Sequence, residues 1–181
     1  MGAAFAWAGT GVFFRPMPEL SSKTRLYWPV VVGWLALDIV TKRWALGALT
    51  PGLPQEVVGD WLRWSLAFNR GAAMGFHLGE WSRPVLTVVG LVMLVILWRL
   101  YRATAVEHRL QILLLAFITS GAIGNLIDRV RWTRGVVDFI DVGIGTTRFW
   151  TFNVADMGIS VGAVLLAIIW GRSEKAAQEP R

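Results

Sequence analysis

With 55% hydrophobic and only 17% charged residues among 181, and a mean hydropathy of +0.51, the chain is too apolar for an ordinary soluble domain and reads as one compact membrane domain. A net charge of +6 would suggest nucleic acid in a soluble protein. Here the Lys and Arg residues cluster at the ends of apolar stretches and in loops, where lipid headgroups lie, so no nucleic-acid partner is expected. The absence of cysteine excludes disulfides, a thiol nucleophile and a thiolate metal site.

Residues 1–25 form a tail. Its first 14 residues are apolar but lack a charged start, which makes a poor signal peptide. Met17 offers an alternative start, which would leave 1–16 non-native or disordered, and Ala6 breaks the myristoylation pattern. Four stretches then approach the roughly 20 apolar residues that cross a bilayer: 26–42, 85–100, 110–127 and 153–170. Trp28, Trp44, Trp81, Trp98, Trp150 and Trp170 fall at or near their ends, where an amphipathic ring prefers the headgroup layer. An even number of spans puts both termini on one side. The Lys and Arg residues divide evenly between the two sides, and only their greater density near the termini favours a cytoplasmic tail at each end.

The connection 43–84 is too long for a simple turn, and 56–68 alternates as short strands do. Asn69, Arg70 and Gly71 then lead into Ala72 and Ala73, small residues that form either a plain tight turn or a place where backbone approaches a ligand. The connection 128–152 holds the apolar run Val136-Val137-Asp138-Phe139-Ile140-Asp141, and 171–181 is a polar tail expected to be disordered.

Antiparallel spans carry Asp38, Lys42, Asn125, Asp128, Asn153 and Asp156 to one membrane face, and both long connections open there. Scattered structural polar residues have no reason to converge, so one site is expected at one interface. Asp38 and Lys42, four apart, share a helical face and suit an ion pair. Asp128 beside Arg129 suits a strut or an anchor. Asp138 and Asp156 both lie in apolar surroundings. If they meet, two carboxyls at hydrogen-bond distance share one proton, the condition in which one activates water and the other donates to a scissile carbonyl.

Other chemistries lack parts. His77 and His108 lie on opposite faces, which excludes a Ser/His pair or a histidine metal site. Ile118 breaks a Gly-x-Ser-Gly pattern at Ser120-Gly121, Thr146 replaces the Asp that a Gly-x-Gly-Asp pattern needs, and no phosphate-cradling loop is present. A proton-coupled transporter would also carry membrane aspartates, yet it usually needs more spans or repeats. A structural membrane subunit would leave the convergence as coincidence.

Five ordered motifs resemble the bacterial lipoprotein signal peptidase (signal peptidase II) family: Asp38-x-x-x-Lys42, Phe68-Asn69-x-Gly71-Ala72-Ala73, Gly121-x-x-Gly124-Asn125-x-x-Asp128-Arg129, Val136-Val137-Asp138-Phe139 and Phe152-Asn153-x-Ala155-Asp156. The resemblance implies an all-α membrane protein, a four-transmembrane-helix bundle spanning 26–170 with a small extracytoplasmic β-like cradle and both termini cytoplasmic. It implies an aspartic endopeptidase of the bacterial inner membrane, a monomer surrounded by membrane lipids, that cuts prolipoproteins before a diacylglyceryl-modified cysteine without metal or cofactor. Carried over by position, the catalytic pair is Asp138 and Asp156, with Asp128, in a motif that matches as strongly, the rival acid. Asp38, Lys42, Asn69, Gly71, Asn125, Asp128, Arg129, Asn153 and Ala155 bind substrate or support the site, and the amides of Asn125 and Asn153 are candidates to bond the substrate backbone. Met74 and Ala122 depart from the pattern, as does the longer N-terminus.

Overall fold

The computed structural model describes residues 22–71 and 77–178. Four helices dominate it: α1 Ser22–Ala48, α2 Ser82–Ala103, α3 Arg109–Arg131 and α4 Val154–Gln178. Each outruns the stretch expected from hydropathy. Helical hydrogen bonding carries on past the apolar run wherever no breaker stops it, so α1 takes in the first residues of the 43–84 connection and α4 continues into the polar tail expected to be disordered. The readings placed on Ala72, Ala73, Met74 and on 1–16 lie outside the described residues.

Among the described residues three helical segments are long and apolar enough to cross a membrane: Gly79–Ala103, Arg109–Arg131 and Val154–Arg172. α1 has the length but not the composition, because Asp38 and Lys42 interrupt it. α3 is the hub, packing on α1, α2 and α4. Its contact with α4 is close because both helices present glycine. In the Gly158-x-x-x-Gly162 run, a methyl on Gly162 would lie 2.7 Å from Ile118 Cγ1 and 3.1 Å from the Leu114 carbonyl. A small-x-x-x-small stripe lets helix backbones approach in this way where lipid supplies no hydrophobic drive. All six expected interfacial tryptophans are exposed.

The β-like segments form a real sheet. β1 Gln55–Val58, β2 Leu62–Asn69, β3 Val136–Ile144 and β4 Thr147–Arg148 pair antiparallel in that order. β2 carries one extra residue between Trp64 and Ala67 relative to β3, a bulge that re-aims the strand. Beyond it Ala67 pairs with Asp138 and Asn69 with Val136, so Asn69 is the diagonal same-face neighbour of Asp138. Gly135 opens β3 at φ +101°, and a side chain there would strike the backbone of Asn69 and Arg70. This is a position only glycine fills without strain.

Two apolar clusters bracket the site. One, around Tyr27, Leu97, Tyr101, Ile112 and Leu115, fills the bundle toward the start of α1. The other joins Ala45 of α1, and Leu49 just beyond it, to Leu66, Val137 and Phe139 of the sheet. Between them lies a layer of buried polar side chains.

Candidate active site

That layer gathers Asp38, Lys42, Asn125, Asp128, Asp138 and Asn153, all buried, with Asp156 half-buried at its edge. Buried charges persist only when paired and hydrogen-bonded, and here nearly every polar atom has a partner. The convergence expected from antiparallel spans is therefore present as direct contacts.

Asp156 is the third residue of α4 and Asn153 its N-cap. The Asp156 N–H donates to Asn153 Oδ1 at 2.9 Å, and the Asn153 N–H donates to Asp156 Oδ2 at 3.2 Å. This reciprocal arrangement is a capping box, so the Asn-x-x-Asp run of α4 starts the helix as well as holding an acid. The equally spaced run in α3, Asn125 and Asp128, sits in the last turns of its helix and starts none.

The asparagine amides link the two acids. Asn125 Nδ2 donates to Asp156 Oδ1 at 2.7 Å, Asn153 Nδ2 donates to Asp138 Oδ1 at 2.7 Å, and Asn153 Nδ2 also reaches Asn125 Oδ1 at 3.2 Å. Asp138 and Asp156 thus stand at the two ends of one hydrogen-bonded chain. Asn125 and Asn153, expected to bond a substrate backbone, are buried here, with one amide donation each to these carboxylates. Burial of Asp138 in the strand raises its carboxyl from 3.8 to about 7, with the nearby Asp156 charge adding to the rise. The amides of Asn153 and Asn69 and the Lys42 charge oppose it without overturning it.

Asp128 stands apart from the acid pair. Its Oδ2 accepts the Val137 N–H at 3.2 Å and faces Lys42 Nζ at 3.0 Å, which makes it a strut between α3 and β3. Arg129 donates to the carbonyls of Asn125 at 3.4 Å and Gly71 at 3.3 Å. Its guanidinium lies within electrostatic reach of Asp156, Asp138 and Asp128. Gly71 is held by its N–H on Asn69 Oδ1 at 2.9 Å. Asp38, Lys42 and Ala155 lie inside the protein, with the Ala155 N–H on Asp38 Oδ1 at 2.9 Å.

Asp141, the last acid of the β3 run, leaves the site altogether. It pairs with Arg63 at 3.0 Å and Arg148 at 2.9 Å, both of which also hold Asp60, in a clasp across the sheet. Sequence reasoning missed Arg83, which donates to the Arg129 and Val130 carbonyls at 2.7 and 2.9 Å and so closes the last turn of α3. A basic residue opening α2 opposite the end of an antiparallel neighbour was the available signal. A cavity of about 370 Å³ opens at Asn69 and Arg129, lined also by Arg70, His77, Arg83 and Gly135 and by neither acid. His77 is exposed there, its Nδ1 accepting the Gly79 N–H at 2.8 Å. Among the described residues no group of three or more His, Asp or Glu side chains has the geometry to hold a metal.

The arrangement holds two electrostatically coupled carboxyls on one hydrogen-bonded chain. Comparison with known proteins shows which family the chain resembles. The family described as signal peptidase (SPase) II matches residues 30–171. The chain is 42% identical over 161 residues to a lipoprotein signal peptidase of Hydrogenovibrio crunogenus, covering 84% of this chain and 88% of that one. It is 38% identical over 169 residues to a lipoprotein signal peptidase of Mycobacterium bovis, with 89% and 77% covered. Among solved structures it is similar to a bacterial membrane enzyme determined by the in meso method, with a TM-score of 0.75 at 29% identity over 86% of this chain and 92% of that one.

Proposed function

The chain belongs to the signal peptidase II family, and on that premise we propose that it is an intramembrane aspartyl endopeptidase that removes the signal peptide of prolipoproteins by cutting before a diacylglyceryl-modified cysteine. It is a multi-pass membrane peptidase, and the reading adds α1 as a fourth span within a single unit over 26–170. Both termini lie in the cytoplasm of a bacterial cell, the acids sit at the outer face of the inner membrane, and the enzyme works as a monomer without metal or cofactor.

The observation that carries the reading is the chain Asp138, Asn153, Asn125, Asp156, with Asp138 protonated up to about pH 7. In the proposed reaction the pair shares one proton, held at rest on the more deeply enclosed Asp138. Asp156, half-buried at the cleft, takes a proton from water as the water oxygen bonds to the scissile carbonyl carbon. Asp138 gives its proton to the carbonyl oxygen. As the tetrahedral species collapses the C–N bond breaks, the amine of the lipidated cysteine receives the proton taken from water, and Asp138 recovers its own. The two asparagines keep each carboxyl in its rotamer through these exchanges, and Arg129 favours the anionic state of the pair.

A substrate anchored by acyl chains presents its scissile bond at one depth, so acids at a helix end beside an interfacial sheet are where that bond arrives. The cavity at Asn69 and Arg129 gives an extended peptide a path to them. The test is cleavage of a lipidated prolipoprotein, with its unlipidated form as control. Turnover of the lipidated form alone supports the reading, and equal turnover of both would make this a general peptidase.

A further inference from the structure

Lys42 has no part in the proton transfers above, yet its ammonium is buried among three acceptors. Its ammonium reaches Asp38 Oδ2 at 2.8 Å, Asp128 Oδ2 at 3.0 Å and Asn125 Oδ1 at 3.1 Å. Three N–H donors thus meet three acceptors, with Lys42 buried. Asp38 Oδ2 has no hydrogen-bond partner beyond this ion pair among the described residues.

The two carboxylates it holds end on two particular backbone amides. Asp38 Oδ1 accepts the N–H of Ala155, the residue before Asp156. Asp128 Oδ2 accepts the N–H of Val137, the residue before Asp138. Its third partner, Asn125, donates to Asp156 itself. One ammonium on α1 therefore ties together the start of α4, the start of β3 and the end of α3, each within one residue or one hydrogen bond of an acid.

We infer that Lys42 is the positioning residue of the acid pair: through Asp38 and Asp128 it fixes the spacing between Asp138 and Asp156, and its charge sets the pH range in which the pair keeps its shared proton. The inference rests on the dyad reading and deepens it. The charged groups acting on Asp138 are Asp156 from α4, Arg129 from α3 and Lys42 from α1, beside the neutral amide of Asn69 from β2. A plain helix tether would be satisfied by one acid. A residue that sets a distance needs a hold on both sides of it, and Lys42 has one on each.

The test is Lys42→Met, which keeps the length of the stem and removes the ammonium, assayed on lipidated prolipoprotein across pH. Expected is a fall in kcat of about 100-fold, the scale of misplacing reacting groups by about 1 Å, with KM unchanged within about twofold because substrate does not touch the residue. The alkaline limb of the pH profile moves to higher pH, since a cation that favours ionised Asp138 is gone. If this variant does not fold, Asp38→Asn/Lys42→Met/Asp128→Asn balances the buried charge while keeping an acceptor oxygen for each backbone N–H, and its kcat is expected to fall by the same factor. A folded variant with kcat within about threefold of the parent and, for Lys42→Met, an unmoved limb overturns the inference. Turnover by Asp138→Asn or Asp156→Asn overturns the dyad reading and this inference with it. Loss in those two beside full turnover in the Lys42 variants overturns this inference alone.

Discussion

Asp138→Asn should make the protein more stable while removing its activity, and the gain should depend on pH. The side chain is 2% exposed and its carboxyl stays protonated to about pH 7 instead of 3.8. Below pH 3.8 the folded and unfolded chains both hold this proton, and the group contributes nothing to pH dependence. Between 3.8 and about 7 the unfolded chain releases it and the folded chain does not, so stability falls as pH rises, at about 1.4 kcal/mol per pH unit. Above about pH 7 both are ionised and the penalty levels off near 4 kcal/mol. Asparagine has the same shape and no charge to desolvate. At pH 8 the variant should therefore melt about 10 °C above the parent, taking about 2–4 °C per kcal/mol for a domain of this size. At pH 4 the two curves should nearly coincide. Thermal unfolding in detergent, followed by tryptophan fluorescence at both pH values, measures this. A variant no more stable than the parent at pH 8, or a gap that persists at pH 4, would refute the argument that burial and the Asp156 charge hold the proton on Asp138.

Two further outcomes are expected. Gly121→Ala places a methyl 2.8 Å from Ile159 Cγ1 and closer still to the Ala155 carbonyl. The backbone cannot rotate away, so α3 and α4 must part at the level of Asp156, with a loss of about 1–3 kcal/mol and a lower kcat. Unchanged melting and turnover would show that the contact is slack. A chelator such as EDTA should leave turnover unaltered, because the pair activates water through its own shared proton, and strong inhibition would point to a metal instead.

Much of the site was legible because antiparallel spans force residues near helix ends into register. The positions of Asp38, Asn125, Asp128, Asn153 and Asp156 in the sequence placed them at one face before any coordinates. The alternation over 56–68 likewise read as strand. What the residues do to one another was less accessible. The partners of Lys42 lie 83 residues away at Asn125 and further at Asp128, so only its local pairing with Asp38 could be seen. The fate of Asp141 depended on a β2–β3 register that puts Arg63 opposite it, and a one-residue bulge sets that register. The capping box in Asn153-x-x-Asp156 was readable, since an amide and an acid three apart before an apolar run is a helix-start signature. Membrane acids drew attention to cost and chemistry instead. The composition of α1, broken by Asp38 and Lys42, left its status as a span to the family resemblance.

The central claim is that Asp138 and Asp156 act as one proton-sharing pair on a lipidated substrate. Single-turnover cleavage of a diacylglyceryl-modified prolipoprotein in detergent, followed by mass spectrometry and compared among the parent, Asp138→Asn and Asp156→Asn, tests it most directly. The account predicts a product beginning at the lipidated cysteine from the parent and none from either folded variant. Cleavage by either variant at a rate near the parent's would contradict it.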